Sequence, residues 1–243
     1  MTIEFRPPRP GETGHLRSLF TEAFGDARFT DLFFRRGFSP ERCLCAAEPE
    51  ILAALHWFDC TLEGQKAAYI YGIATFVSHR GRGIGAKLIR AAISHLAQSG
   101  YGPIFLVPAG ESLFGYYERF GFRAVSTIQE ETVAAGAPIP IRRLTLEAYA
   151  RLRRSYLPER SLVQEGPCLE LLDGYAEFYA TDRAIAARSA DMIWELLGDA
   201  ADGPGLIAAL GLKSATIRTP GRGRPFAMGI GTDRPIYLGL ALD

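Results

Sequence analysis

Lysine is nearly missing from this chain. Lys66, Lys87 and Lys213 are the only ones, and arginine supplies the rest of the 27 basic residues. The 27 acidic residues balance them, so neither sign of charge is in excess. That balance removes the electrostatic basis for non-specific nucleic-acid binding, which needs surplus cations to neutralise phosphates. Long apolar runs are missing as well. The longest, Ala67 to Val77, falls short of the roughly 20 residues that a membrane-spanning helix requires. The opening Met1-Thr2-Ile3-Glu4-Phe5-Arg6 runs into Pro7-Pro8-Arg9-Pro10 and contains no apolar signal core. The expected location is the cytoplasm, with neither nucleic acid nor membrane as partner. Cysteine is scarce too. Cys43, Cys45, Cys60 and Cys168 form no zinc-type ladder with the four histidines, so buried reduced thiols and no metal are expected.

What is present suits a globular protein: 48% hydrophobic and 22% charged residues. A length of 243 residues exceeds the roughly 100–200 typical of one domain, which predicts a full domain plus a smaller module. Leu16, Leu19, Phe20, Ala23 and Phe24 recur at helical spacing up to Gly25-Asp26. A second short helix carries Phe29, Leu32 and Phe33 and ends near Gly37. Cys43–Ala47 and Ile51–Cys60 flank Glu48-Pro49-Glu50 as a hairpin, and Lys66–Thr75 adds a third strand. Leu88, Ile89, Ala92, Ile93 and Leu96 give the next helix an apolar face. A short strand Ile104–Val107, a helix around Leu113–Phe120 and a strand from Phe122 follow. Ala134 to Pro140 has the composition of a linker. Beyond it, Thr145 caps a helix, Tyr175–Ala187 reads as a hairpin turning at Thr181-Asp182, and Met192–Leu197 and Gly205–Leu210 read as helices. Phe226–Ile230 and Ile236–Leu242 read as closing strands. The predicted class is α/β with a mixed α+β sheet: residues 1–133 as the main domain, 134–144 as linker, and 145–243 as a smaller α+β module.

Arg80-Gly81-Arg82-Gly83-Ile84-Gly85-Ala86 is the most informative segment. Glycines let main-chain N–H groups approach an anion, and the helix that follows adds unpaired donors and a positive dipole end. Arg80 and Arg82 add charge, so the loop suits a pyrophosphate. One reading is the dinucleotide fingerprint, through Gly81-x-Gly83-x-x-Ala86. It requires an acid about 20 residues on, and Gly100–Val107 contains none. The antiparallel hairpins upstream also disagree with it.

The other reading uses more residues. Arg80-x-x-Gly83-x-Gly85 resembles the acetyl-CoA signature of the GCN5-related N-acetyltransferases (GNAT), and Tyr117-Glu118-Arg119-Phe120-Gly121-Phe122 resembles that family's downstream Tyr-Glu-x-x-Gly-Phe segment. The likeness covers roughly residues 3–130. It implies a GNAT fold with acetyl-CoA as cosubstrate. Ile73, Ala74 and Thr75 would pair with the pantetheine arm as an added strand, and Gly81 to Ala86 would hold the pyrophosphate. An amine would attack the thioester directly while Tyr117 protonates the leaving thiolate. The family's usual strand carboxylate is replaced by Tyr69, which leaves His56, Tyr69, Tyr71 and Glu111 open as bases. The longer pattern resembles a bacterial two-domain group distantly similar to the enhanced-intracellular-survival acetyltransferases. Three functions stay open: acetylation of a small-molecule amine, acetylation of a protein or peptide amine, and non-catalytic acyl-CoA binding. Association into homo-oligomers is also open. Finally, the alternation of Leu238, Leu240 and Leu242 with Gly239, Ala241 and Asp243 predicts a docked tail, whose Asp243 would sit near the acceptor amine unless the strand is purely structural.

Overall fold

The computed structural model describes residues 2–241. Its elements, in chain order, begin with β1 (Glu4–Arg6), α1 (Thr13–Phe24) and α2 (Ala27–Leu32), the last running on into a wide turn over Phe33–Gly37. Next come β2 (Cys43–Ala47), β3 (Ile51–Leu62), β4 (Gln65–Thr75), α3 (Ile84–Gln98), β5 (Ile104–Leu106), α4 (Phe114–Glu118), β6 (Arg123–Ala124) and β7 (Thr127–Ala134). The second half holds β8 (Arg142–Leu144), α5 (Leu146–Tyr156), β9 (Val163–Gln164), α6 (Pro167–Leu172), β10 (Glu177–Ala180), β11 (Ala184–Ser189) and β12 (Met192–Gly198). It closes with α7 (Gly203–Ala209), β13 (Ser214–Pro220), β14 (Arg224–Pro225) and β15 (Met228–Ile230).

Two sheets organise these elements. The first runs β1-β2-β3-β4-β5-β15-β6, with β9 on β3; the second runs β14-β7-β13-β12-β11-β10-β8. The predicted hairpins of the first half are present, and α3 buries Leu88, Ile89, Ala92 and Leu96 against the first sheet. Gly25 ends α1 in the left-handed region at φ 70°, where the absence of a Cβ removes the steric penalty. Thr145 caps α5 by accepting the Ala148 N–H at 3.2 Å, as its sequence position predicts.

The second half departs from the sequence reading in three places. Met192–Leu197 is strand, not helix: β12 pairs antiparallel with β11 and parallel with β13. Ile193, Leu196 and Leu197 mimic helical spacing because Ile193 and Glu195 to Leu197 are all buried, and a strand covered on both faces shows no alternation. The Ile236–Leu242 segment forms no ladder in its described part, only a single bridge between Ser161 and Tyr237. Leu238, Leu240 and Ala241 are all buried, so the tail is enclosed rather than half-exposed. Third, the sheets do not divide at residue 134. β7 already belongs to the second sheet through its pairing with β13, and β15 returns to the first sheet between β5 and β6. One apolar core accordingly runs from Phe20, Phe58 and Tyr69 to Leu169, Leu197, Phe226 and Leu238.

Candidate active site

The site originates in one irregularity of β4. Ala54 of β3 pairs with Ala74, and His56 pairs with Tyr71, so Gly72 and Ile73 together face the single residue Leu55. This is a β-bulge with glycine at φ 66°, a geometry that bends a strand and opens its pairing. Close packing adds a second demand for glycine, since a Cβ on Gly72 would lie 2.7 Å from the Phe20 ring. On its other side β4 pairs with parallel β5 only at Ala68–Ile104 and Tyr69–Phe105. The two strands then part.

A cavity of about 900 Å³ fills the opening. It is lined by Ile73, by Val107 to Ala109 beyond β5, and by Leu113 and Tyr117. Phe29, Arg28, Arg35 and Arg36 from α2 and its following turn also line it, as do Asp173, Tyr175 and Trp194 from the second half of the chain. Ala241, the last described residue, also lines it, and its carbonyl accepts the Tyr69 hydroxyl at 2.5 Å. Asp243 lies outside the described residues.

Tyr117 is half-buried. Its phenol is pushed up to about 12, first by desolvation and then by neighbouring Tyr116, so its hydroxyl keeps its proton throughout the neutral range. Tyr116 does not line the cavity; its ring packs on Tyr117 and Phe120 beneath the Arg119 guanidinium, and its hydroxyl lies 4.0 Å from where a Cβ on Gly85 would stand. Of the open base candidates, Tyr69 and Tyr71 line the cavity while His56 and Glu111 do not. His56 is fully buried between Phe33, Phe38 and Phe58, and desolvation lowers it to about 3. Its Nε2 accepts the Ser39 N–H at 3.3 Å. That is a neutral packed ring.

The glycine-rich loop follows β4 and packs against its Thr75. Gly81 and Gly83 hold φ 77° and 71°, and a Cβ on either would meet no atom within 4 Å. Open space therefore lies before the loop, as the approach of an anion demands. The first backbone bond of α3 is Lys87 N–H to Gly83 carbonyl, and the N–H groups of Ile84, Gly85 and Ala86 precede it at the helix start. Arg80 Nε donates to the Thr75 carbonyl at 3.1 Å, and Gly85 packs so closely that a Cβ would lie 3.3 Å from Thr75 Oγ1. Thr75 thereby ties the loop to β4. Ala74 is buried in the sheet, paired with Ala54. The structure thus groups Ile73 and Tyr117 in the cavity and the Arg80–Ala86 loop beside it. Sequence reasoning missed Gly72, although a glycine inside a strand is a recognised sign of a bulge. It also missed Arg28, Arg35, Asp173, Tyr175 and Trp194, whose convergence depends on tertiary packing alone.

Residues 4–125 match the acetyltransferase (GNAT) domain family. The chain belongs to that family. Its reaction class is therefore acyl transfer. No curated protein matches the sequence. Among solved structures, a probable N-acyltransferase from Enterococcus faecalis is similar at TM-score 0.70 and 14% identity, over 94% of this chain and 72% of that one. A GCN5-related N-acetyltransferase from Anabaena variabilis gives TM-score 0.71 at 13% identity, over 94% and 72%. Eis1 from Mycobacterium abscessus gives 0.63 at 15%, over 92% and 66%. At these identities the shared property is the fold, and it extends through the second half of this GNAT chain.

Proposed function

We propose that this GNAT protein transfers an acetyl group from acetyl-CoA to a primary amine by direct attack within a ternary complex. The reading rests on one arrangement: a cavity through the β4–β5 opening, with Tyr117 lining it and an anion-suited loop beside it. Acetyl-CoA supplies the acyl group already activated as a thioester. The N–H groups at the start of α3, with Arg80 and Arg82, would hold its pyrophosphate. Main-chain groups around Ile73, freed from β5 by the bulge, would bind the pantetheine arm by strand addition. Tyr117 would give its proton to the departing sulfur; its raised pKa keeps that proton in place at neutral pH. Residues from both halves of the chain line the cavity, and a concave site of this kind suits a small-molecule amine.

Thiol release from acetyl-CoA, followed over a panel of small amines and amine-terminated peptides, tests the reading. The expected result is amine-dependent release with small amines. Tight acetyl-CoA binding without release to any acceptor would instead identify a non-catalytic acyl-CoA-binding protein.

A further inference from the structure

We infer that Tyr69 is a positioning residue and not a base, and that through it the tail of the chain forms part of the wall that holds the acceptor. This rests on the acyl-transfer reading above and assigns residues to its acceptor side. The order of residues along β4 separates the two substrates. The Arg80–Ala86 loop lies beyond Thr75, and Ile73 to Thr75 are the strand groups assigned above to acetyl-CoA. Tyr69 lies at the other end of the stretch of β4 that lines the cavity, roughly 13 Å of extended strand before Ile73. There β4 is still paired with β5, at Tyr69–Phe105, so Tyr69 stands where the opening begins.

The tail comes to this point without forming a strand. The Ile236 N–H donates to the Val125 carbonyl at 2.8 Å, that of Tyr237 to the Arg160 carbonyl at 3.0 Å, and that of Leu238 to Ser126 Oγ at 3.3 Å. Gln164 Nε2 then donates to the Leu240 carbonyl at 2.6 Å, and the Tyr69 hydroxyl to the Ala241 carbonyl at 2.5 Å. Leu238, Leu240 and Ala241 are buried, and buried irregular backbone must find a partner for each polar group. An edge strand would find them along one neighbour. Here they come from both halves of the chain, and the route they set ends on Ala241 in the cavity wall. Gln164 is itself fully buried, does not line the cavity, and its Oε1 has no partner among the described residues. Its amide acts as a donor, to the tail and to Cys168 Sγ.

The bond to Ala241 also bears on proton transfer. A phenol takes up a proton only after giving up its own. Tyr69 directs its proton at a carbonyl oxygen, so a phenolate in its place would face that oxygen with no proton between them. Tyr69 is buried, where a charge set against an oxygen is costly.

Tyr69→Phe, Gln164→Met and the joint variant test this by thiol release, with the amine of the panel that the parent turns over fastest. Each single substitution should raise the acceptor KM about fivefold, the size of one lost hydrogen bond. The kcat should stay within about twofold of the parent with its pH profile unchanged, and acetyl-CoA affinity by calorimetry should match the parent. The joint variant should raise KM by less than the product of the two, because both release one segment. An effect of Tyr69→Phe carried by kcat instead of KM, or the loss of a limb of the pH profile, makes Tyr69 a proton-transfer residue and overturns the inference. An unchanged acceptor KM in Tyr69→Phe overturns it too, as does an acetyl-CoA affinity that falls with the acceptor's. Those results leave acyl transfer itself standing. No turnover of any amine by the parent defeats the acyl-transfer reading and this inference with it.

Discussion

Tyr117 combines two properties that a proton donor needs. It reaches the cavity, and burial keeps its hydroxyl protonated up to about pH 12. Tyr117→Phe should leave acetyl-CoA affinity unchanged and lower turnover by about 10²–10⁴-fold, the usual contribution of a positioned general acid. The sign of the pH dependence follows. A donor must be protonated, so the contribution of Tyr117 is lost only as pH rises through about 12. Any alkaline decline in kcat at lower pH belongs to another group, and Tyr117→Phe should not abolish it. Turnover within about twofold of the parent would remove Tyr117 from the mechanism. His56 makes an instructive contrast. In the sequence it stays open as a base beside Tyr69, Tyr71 and Glu111, because alternation along β3 does not tell which aromatic residues will surround a ring. The structure surrounds it with phenylalanines, and desolvation keeps the imidazole neutral.

At the scale of elements, the loop and α3 were legible because their signals are local. Glycine spacing and a helical apolar stripe depend only on neighbours in sequence. The loop also gives a sharp expectation. Gly83 sits at φ 71°, where an ordinary residue costs roughly 1–2 kcal/mol and a β-branched one more. Gly83→Val should therefore distort the turn before α3 and reduce acetyl-CoA affinity by at least about tenfold, as read by calorimetry on protein whose circular dichroism matches the parent. An unchanged affinity would place the pyrophosphate elsewhere. Gly72 is a local hint of the bulge in β4, but what demands it and what hides the strand β12 were not legible for a shared reason: each depends on partners distant in sequence. Gly72 is required by the ring of Phe20, and β12 hides its alternation by being buried on both faces.

At the scale of the whole molecule, a buried charge cluster that no linear pattern revealed links α5, β12 and the tail. Glu195 of β12 is fully buried. One of its oxygens accepts Arg153 Nε at 2.6 Å and the Tyr149 hydroxyl at 2.7 Å; the other accepts Arg153 Nη2 at 2.9 Å and the Tyr237 hydroxyl at 3.0 Å. Burial opposes charge on Arg153, yet the adjacent carboxylate holds its pKa above the ordinary value. The cluster joins α5, the second sheet and the tail. Gly239 is needed there, since a Cβ would collide with the Tyr237 hydroxyl and Glu195 Oε1. Gln164 Nε2 then donates to the Leu240 carbonyl at 2.6 Å, and Tyr69 to that of Ala241, which brings the tail to the cavity wall. Glu195→Ala would strand a buried guanidinium and two phenols. The expected cost is about 3–5 kcal/mol, a fall in Tm of roughly 6–20 °C for a chain of this size. Joint Arg153→Met and Glu195→Leu substitution removes both charges and should recover most of that loss, because well-packed apolar residues replace buried ion pairs at little cost. It does not restore the Tyr237 anchor. The double variant should therefore remain stable while its acceptor KM rises, with acetyl-CoA affinity unaltered. Thermal melts and steady-state kinetics on the two variants separate the effects. An unshifted Tm in Glu195→Ala would show that the cluster does not hold the fold, and an unchanged acceptor KM in the double variant would show that the tail reaches the cavity without its help.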